Sequence, residues 1–113
     1  MKYSESLKKY EDFKHVYQTG KSYANKYFIM YVSENHLEKN RLGISVSKKV
    51  GNSVVRHRLT RLIRESYRLH EEMFNSGLDI VVIARNAAAG IRFAAAESAF
   101  CHLSRLHKIM KKN

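Results

Sequence analysis

The chain has 113 residues, enough for one small domain (1–113) with a single hydrophobic core. Its 21 Lys and Arg residues outnumber 10 Asp and Glu residues, and the formal net charge of +11 exceeds what solubility requires. This excess predicts a polyanionic partner, and the single cysteine, Cys101, excludes an internal disulfide and suits a reducing cytoplasm. No stretch approaches the roughly 20 apolar residues of a membrane span, so we expect a cytoplasmic protein without a membrane partner.

The N-terminal third predicts a short helix followed by extended chain. Residues 1–9 are polar, and we expect them to be frayed. An apolar stripe at helical spacing follows, with Gly20 as its expected end; the stripe consists of Tyr10, Phe13, Val16 and Tyr17. Residues 21–33 are rich in Tyr, Phe, Ile and Val, which favours strands, and the polar residues 34–40 predict a surface turn. From these residues alone, the aromatic stripe is best interpreted as core.

The central stretch from Arg41 to Arg68 concentrates the charge. It reads RLGISVSKKVGNSVVRHRLTRLIRESYR and holds eight Lys or Arg residues against one acid, Glu65. Residues 42–46 alternate in the manner of a strand, which we expect to pair as a hairpin with the extended chain before it. Asn52 is placed to cap a following helix with its side-chain oxygen.

Helical periodicity beyond residue 52 separates an apolar arc from a cationic one. The apolar arc contains Val55, Leu59, Leu62, Ile63 and Leu69. The opposite arc contains His57, Arg61, Arg64 and Arg68, with Arg56 and Arg58 on its flanks. Arginine remains charged and binds phosphate through two parallel hydrogen bonds, so this face suits a polyanion. The alternative is an ordinary solvated face on which Glu65 pairs with Arg61.

The C-terminal third predicts a buried strand and a last helix. Residues 79–84 form a continuous apolar run, and residues 93–110 carry an apolar stripe at helical spacing. The predicted order is therefore α-β-β-β-α-β-α, an α/β (α+β) two-layer sandwich with a small mixed sheet. The strand–helix–strand unit around the central helix predicts one parallel pair of strands.

The central stretch resembles the bacterial ribonuclease P protein subunit. In that family a strand ending in SVSKK precedes VGNAVVRNR and a basic helix of roughly IKRLIRE; residues 45–49, 50–58 and 61–65 match these motifs. His57 stands where the family usually has Asn, and Thr60 where Lys is common. The chain length, the DF pair near the start and the DIVVIAR strand also fit. The resemblance implies a left-handed βαβ crossover of the kind found in a ribosomal-protein domain.

The resemblance also implies two groups of site residues. The expected RNA-binding residues are Lys48, Lys49, Asn52, Arg56, His57, Arg58, Arg61, Arg64 and Arg68. The first helix and the sheet are expected to contribute aromatic side chains to a cleft for the leader, namely Phe13, Tyr17 and Tyr31. Bases can stack on such side chains while cations hold the backbone.

The implied function is that of a protein subunit of ribonuclease P. Such a subunit binds the catalytic RNA and the 5′ leader of precursor tRNA, and it assists the endonucleolytic removal of the leader. The RNA subunit and its bound Mg²⁺ perform the chemistry, so we expect no catalytic residue, no metal ligand and no obligate protein partner. The residues agree with this expectation, since paired carboxylates, a Gly-rich phosphate loop and metal-ligand spacing are all missing from the sequence.

Three other functions share the charge pattern. A ribosome-associated or general RNA-binding module would bind mature RNA as tightly as a leader-bearing precursor. A DNA-binding regulator would place the basic helix in the major groove, but here a buried strand rather than a helical bundle follows that helix. A membrane-surface amphipath is the most remote alternative, because the pattern is that of a folded α/β domain.

Overall fold

The computed structural model describes residues 3–111 and contains one five-stranded mixed sheet with three α-helices. The strands are β1 (Ser4–Ser6), β2 (Lys21–Ala24), β3 (Phe28–Glu34), β4 (Asn40–Ser45) and β5 (Leu78–Ala84). The helices are α1 (Tyr10–Thr19), α2 (Ser53–His70) and α3 (Phe93–Leu106), with 3-10 turns at Glu71–Met73 and Asn86–Ala88. The predicted α/β (α+β) class is confirmed, as is the predicted order of elements from α1 onward.

The N-terminal segment differs from its prediction. Instead of fraying, β1 pairs in parallel with β4, and the Leu7 N–H donates to the Leu42 carbonyl at 2.8 Å. Leu7 itself is buried. The prediction of a frayed start was therefore wrong for residues 4–7, because backbone hydrogen bonds to a distant strand hold a segment whose composition is polar. Met1 and Lys2 lie outside the described residues.

The strand order is β1-β4-β5-β3-β2. The predicted parallel pair is confirmed, since β4 and β5 are parallel neighbours connected through α2. The predicted hairpin between β3 and β4 was wrong, because β5 lies between them and the hairpin is formed by β2 and β3. Six of the seven residues of β5 are buried, as a strand covered on both faces requires. The left-handed crossover stays a prediction.

The larger core lies between the sheet and helices α2 and α3. At its centre Tyr67 is fully buried, stacks on Phe74 at 5.0 Å between ring centroids, and places its hydroxyl 2.6 Å from Ser4 Oγ. The inner side of α2 also buries Leu59, Ile63 and Ser66. Leu69, predicted to face this core, is half-exposed instead, because Ser66 and Tyr67 occupy the buried positions of the last turns.

A smaller core lies on the other face of the sheet, beneath α1. Val16 of α1 packs with Leu7 and with Val81 of β5, and all three are buried. Helices therefore cover both faces of the sheet, with α1 adding partial cover opposite α2 and α3. Among the described helices, none has both the length and the apolar character needed to cross a membrane.

Candidate nucleic-acid interface

Helix α1 lies across the sheet with one flank fixed and the other open. On the fixed flank Asp12 is 3.6 Å from Arg41 of β4, and Thr19 Oγ1 is 2.9 Å from Ser33 Oγ of β3. Arg41 and Ser33 lie at the same end of the sheet, since both pair with Asp79. The opposite flank of α1 consequently faces the other end of the sheet, where β4 and β5 finish.

The open flank carries the three aromatic residues predicted for the cleft. Tyr17 packs edge-on against Tyr31 with 5.0 Å between ring centroids, and Phe13 lies 6.4 Å from Tyr17. Tyr17 is 39% exposed, so it is neither a core residue nor a free surface residue. Its partial burial raises the pKa of its hydroxyl, and a hydrogen bond with the Ser45 side chain opposes that increase. We call Phe13, Tyr17 and Tyr31 the aromatic cluster.

The floor beside the aromatic cluster was not foreseen from the sequence. Ser45, Ile83, Ile29 and Ala24 are register partners in one row across four strands. None of these four residues is fully buried. Gly43 lies two residues before Ser45 on β4, and a Cβ atom there would come within 2.8 Å of the Phe13 ring. The glycine thus lets the ring lie directly on the strand backbone, a contact that no local sequence pattern reveals.

Arg41 belongs to the basic stretch but serves the fold. Its guanidinium donates two hydrogen bonds to the Asp79 carboxylate, at 2.8 and 2.7 Å. Asp79 is 2% exposed, and it also accepts a hydrogen bond from Asn35 at 2.9 Å. These hydrogen bonds raise the pKa of Arg41. Because a buried pair of this kind is costly to separate, Arg41 is not available to a polyanion.

The loop of residues 46–52 joins the aromatic cluster to α2. It leaves β4 after Ser45, two residues beyond the Gly43 that lies under the Phe13 ring, and it carries Lys48 and Lys49 with exposed side chains. Asn52 begins the helix as predicted, since its side-chain oxygen accepts a hydrogen bond from the Val55 N–H at 3.0 Å. The two lysines therefore lie at the same end of the sheet as the open flank of α1.

The middle of α2 presents the predicted cationic side chains to solvent. His57, Arg61 and Arg64 are exposed and, together with Thr60, line a shallow concavity on the helix surface. Thr60 directs its hydroxyl back to the Arg56 carbonyl at 2.9 Å, which leaves the concavity open between the longer side chains. We call His57, Arg61 and Arg64 the α2 cationic face.

The remaining predicted arginines are less available to an RNA partner than the helical periodicity indicates. Arg58 is partly buried and donates to the Ile91 carbonyl, before α3. Arg68 donates to Glu65 at 2.9 Å, a pairing that lowers the pKa of the Glu65 carboxyl, so Glu65 pairs with Arg68 rather than with Arg61. Arg56 is partly buried, and its Nε has no partner among residues 3–111.

Nothing in the described part of the chain gathers three or more His, Cys, Asp or Glu side chains as a metal site would require. Asp12 and Asp79, on the fixed flank of α1, both contact Arg41. Cys101 is buried, which raises the pKa of its thiol and disfavours the reactive thiolate. The surface thus offers cations, aromatic rings and a floor of partly exposed strand residues, which suits a single-stranded nucleic acid.

Comparison with known proteins identifies the family. Residues 1–109 match the family model described as Ribonuclease P. The chain belongs to the ribonuclease P protein family. It is 60% identical over 110 residues to the ribonuclease P protein component of Lachnoclostridium phytofermentans, covering 97% of this chain and 95% of that protein. It is 50% identical to the corresponding protein of Alkaliphilus metalliredigens, covering 97% and 99% of the two chains.

A solved structure supports the same assignment. The RNase P protein of Staphylococcus aureus superposes on this ribonuclease P protein with a TM-score of 0.88 and 36% sequence identity, covering 94% of this chain and 97% of that one. The predicted family is thereby confirmed, and membership implies RNA binding and a role in tRNA 5′ processing. The roles of individual residues stay predictions.

Proposed function

We propose that this ribonuclease P protein binds the catalytic RNA through the α2 cationic face and the loop of residues 46–52, and holds the 5′ leader of precursor tRNA in a cleft beside α1. The observation that carries the proposal is the close approach of the Phe13 ring to Gly43, two residues before β4 ends at Ser45. It puts the aromatic cluster at the end of the sheet from which the basic loop and α2 emerge, so one RNA assembly can reach both.

The two surfaces supply different kinds of interaction. Exposed Lys and Arg side chains neutralise phosphates regardless of sequence, with a slope of about −0.7 to −0.9 in log K against log salt for each phosphate. Aromatic rings in a partly open cleft accept bases, and each stacked base contributes roughly 1–3 kcal/mol. A leader that places bases on the aromatic cluster and phosphates near Lys48 and Lys49 would bind tighter than a mature tRNA without a leader.

The protein leaves the chemistry to its partner. In this proposal the catalytic RNA would hold Mg²⁺, and that ion would supply the metal chemistry of phosphodiester hydrolysis. Asp12 and Asp79 are both paired with Arg41, so these two carboxylates are poorly suited to hold the ion. The role of this chain is to neutralise RNA charge and to position the leader.

The direct test is reconstitution. The purified chain is mixed with a catalytic ribonuclease P RNA and a precursor tRNA at a Mg²⁺ concentration too low for the RNA alone, and leader release is measured. We expect cleavage only when both subunits are present, and tighter binding of precursor than of mature tRNA. Cleavage by the chain alone would contradict the proposal. Equal affinity for precursor and mature tRNA would favour a general RNA-binding module instead.

A further inference from the structure

Tyr10 is the most exposed large hydrophobic residue of the described chain, with 75% of its surface accessible. It was expected to belong to the buried stripe of α1, but Phe13 and Val16 supply that contact. Single exposed aromatic residues are common on protein surfaces and need no explanation by themselves. What distinguishes Tyr10 is its neighbours.

Tyr10 lies on the same flank of α1 as Tyr17. At about 100° per residue, Tyr10, Lys14 and Tyr17 fall within an arc of about 60°, and Tyr10 and Tyr17 are separated by about 10.5 Å along the helix axis. Glu11 points about 100° away from Tyr10. The flank of α1 that carries Tyr17 therefore also carries Lys14 and a second exposed aromatic ring, that of Tyr10.

Three unpaired cations lie close to Tyr10 along the chain, with Glu11 as the one adjacent acid. Lys8, Lys9 and Lys14 are all exposed, and none forms an ion pair with another residue in the described range. Lys8 and Lys9 follow Leu7, which is hydrogen-bonded to β4, so they lie beside the outer edge of that strand. An aromatic ring flanked by free lysines is the arrangement that proteins use to bind a single-stranded nucleic acid.

We infer that Tyr10, with Lys8, Lys9 and Lys14, forms a second leader-binding subsite that continues the cleft beyond Tyr17. This inference rests on the proposed function. A stacked strand advances about 3.4 Å per nucleotide, so the distance from Tyr17 to Tyr10 corresponds to about three nucleotides. The inference includes a direction for the leader: the base on Tyr10 is about three nucleotides further from the cleavage position than the base on Tyr17, so that only longer leaders reach it.

A leader-length series tests the inference with the holoenzyme assembled from the chain and a catalytic ribonuclease P RNA. Precursor tRNAs carry leaders that lengthen in steps of about three nucleotides, and their dissociation constants are measured. With Tyr10→Ala we expect at least about fivefold weaker binding of the longest leaders and unchanged binding of the shortest. Tyr10→Phe keeps the stacking ring and should behave as wild type.

Two controls separate this subsite from the rest of the cleft. Tyr17→Ala should weaken binding already at intermediate leader lengths. Leu37→Ala, at an exposed residue in the turn between β3 and β4, should change no affinity. In a second measurement, a photoreactive residue at position 10 should crosslink to a nucleotide further from the cleavage position than one at position 17.

The contradicting results are distinct. If Tyr10→Ala binds every leader as wild type does, or weakens binding equally for all lengths and for mature tRNA, the subsite does not exist. Absence of a crosslink from position 10 to the leader would also overturn it. If the wild-type holoenzyme gains no affinity from any leader and Tyr17→Ala has no effect, the proposed function fails, and the subsite fails with it.

Discussion

The two regions proposed to meet RNA differ in how the fold supports them. The α2 cationic face stands on a helix whose inner side is deep core, with Leu59, Ile63 and Tyr67 fully buried. Two of the three rings of the aromatic cluster stand on a short helix with one fully buried residue, Val16, and Tyr31 stands on β3. These rings both pack against the sheet and contribute to the surface. A helix that is well packed on its inner side can carry exposed charged side chains on its outer side without any loss of core packing. Aromatic rings that stack on bases must instead stay partly exposed. The first region is therefore expected to tolerate surface substitution, and the second to link binding to local packing.

The largest expected effect compares two tyrosines, one from each region. Tyr67→Ala removes a fully buried ring and its hydroxyl contact with Ser4, and should lower the free energy of unfolding by about 3–5 kcal/mol. Tyr17→Ala removes a ring that is 39% exposed, and should cost less than about 2 kcal/mol. Urea denaturation of both variants provides the measurement. If Tyr17→Ala lowers the free energy of unfolding as much as Tyr67→Ala does, the aromatic cluster is part of the core and not a binding surface.

The second prediction concerns charge on α2. Replacing Arg61 and Arg64 together with Gln should weaken assembly with the catalytic RNA on the order of tenfold and flatten the salt dependence by about two units. Arg68→Gln is the matched control, since Arg68 is already paired with Glu65 and should matter less. Filter binding over a range of KCl concentrations gives both quantities. An unchanged slope would mean that the α2 cationic face is merely solvated.

A smaller effect is expected beneath the aromatic cluster. Gly43→Ala would place a Cβ within 2.8 Å of the Phe13 ring, and the ring must move off the sheet. We expect about 1–3 kcal/mol of destabilisation together with weaker binding of leader-bearing tRNA. Gly90→Ala, where a Cβ meets nothing within 4 Å, is the control. Full leader affinity in Gly43→Ala would show that the position of Phe13 on the sheet is unimportant.

The smallest effect is a dependence of stability on pH, at a residue outside both proposed surfaces. Burial lowers the pKa of His107, although its Nε2–H donates to the Met30 carbonyl at 2.8 Å. Below the unfolded value of 6.5 the unfolded chain takes up a proton that the native chain does not, so stability falls as the pH decreases through this range. His107→Gln should reduce that decrease, whereas His15→Gln, at an exposed residue, should not. Thermal unfolding between pH 7 and pH 5 is the measurement.

The sequence predicted what depends on local order. The spacing of Phe13, Val16 and Tyr17 placed α1, Asn52 fixed the start of α2, and the apolar run of residues 79–84 identified the buried strand. Family motifs brought Phe13, Tyr17 and Tyr31 together as a candidate cleft, and the structure does bring them into contact. These inferences depend only on residues that are close together in the sequence or on a motif already known from the family.

What escaped prediction depends on partners that are distant in sequence. The polar segment of β1 is held by pairing with β4, and β5 enters between β3 and β4 because it is apolar on both faces. Sequence alone indicates that Arg41 and Arg58 are available to an RNA partner. In the structure, however, Arg41 donates to Asp79 and Arg58 donates to the Ile91 carbonyl. No periodicity within a single segment contains this information.

The central claim is that the α2 cationic face binds the catalytic RNA while the aromatic cluster binds the leader. The preference of the holoenzyme for precursor over mature tRNA tests this claim most directly. The measurement is the ratio of dissociation constants for mature and precursor tRNA, determined for the holoenzyme carrying Tyr17→Ala or the double Gln variant at Arg61 and Arg64. We expect Tyr17→Ala to reduce the ratio while leaving assembly with the catalytic RNA intact, and the double variant to weaken assembly while keeping the ratio. If both variants change both quantities to the same extent, the division between the α2 cationic face and the aromatic cluster is contradicted.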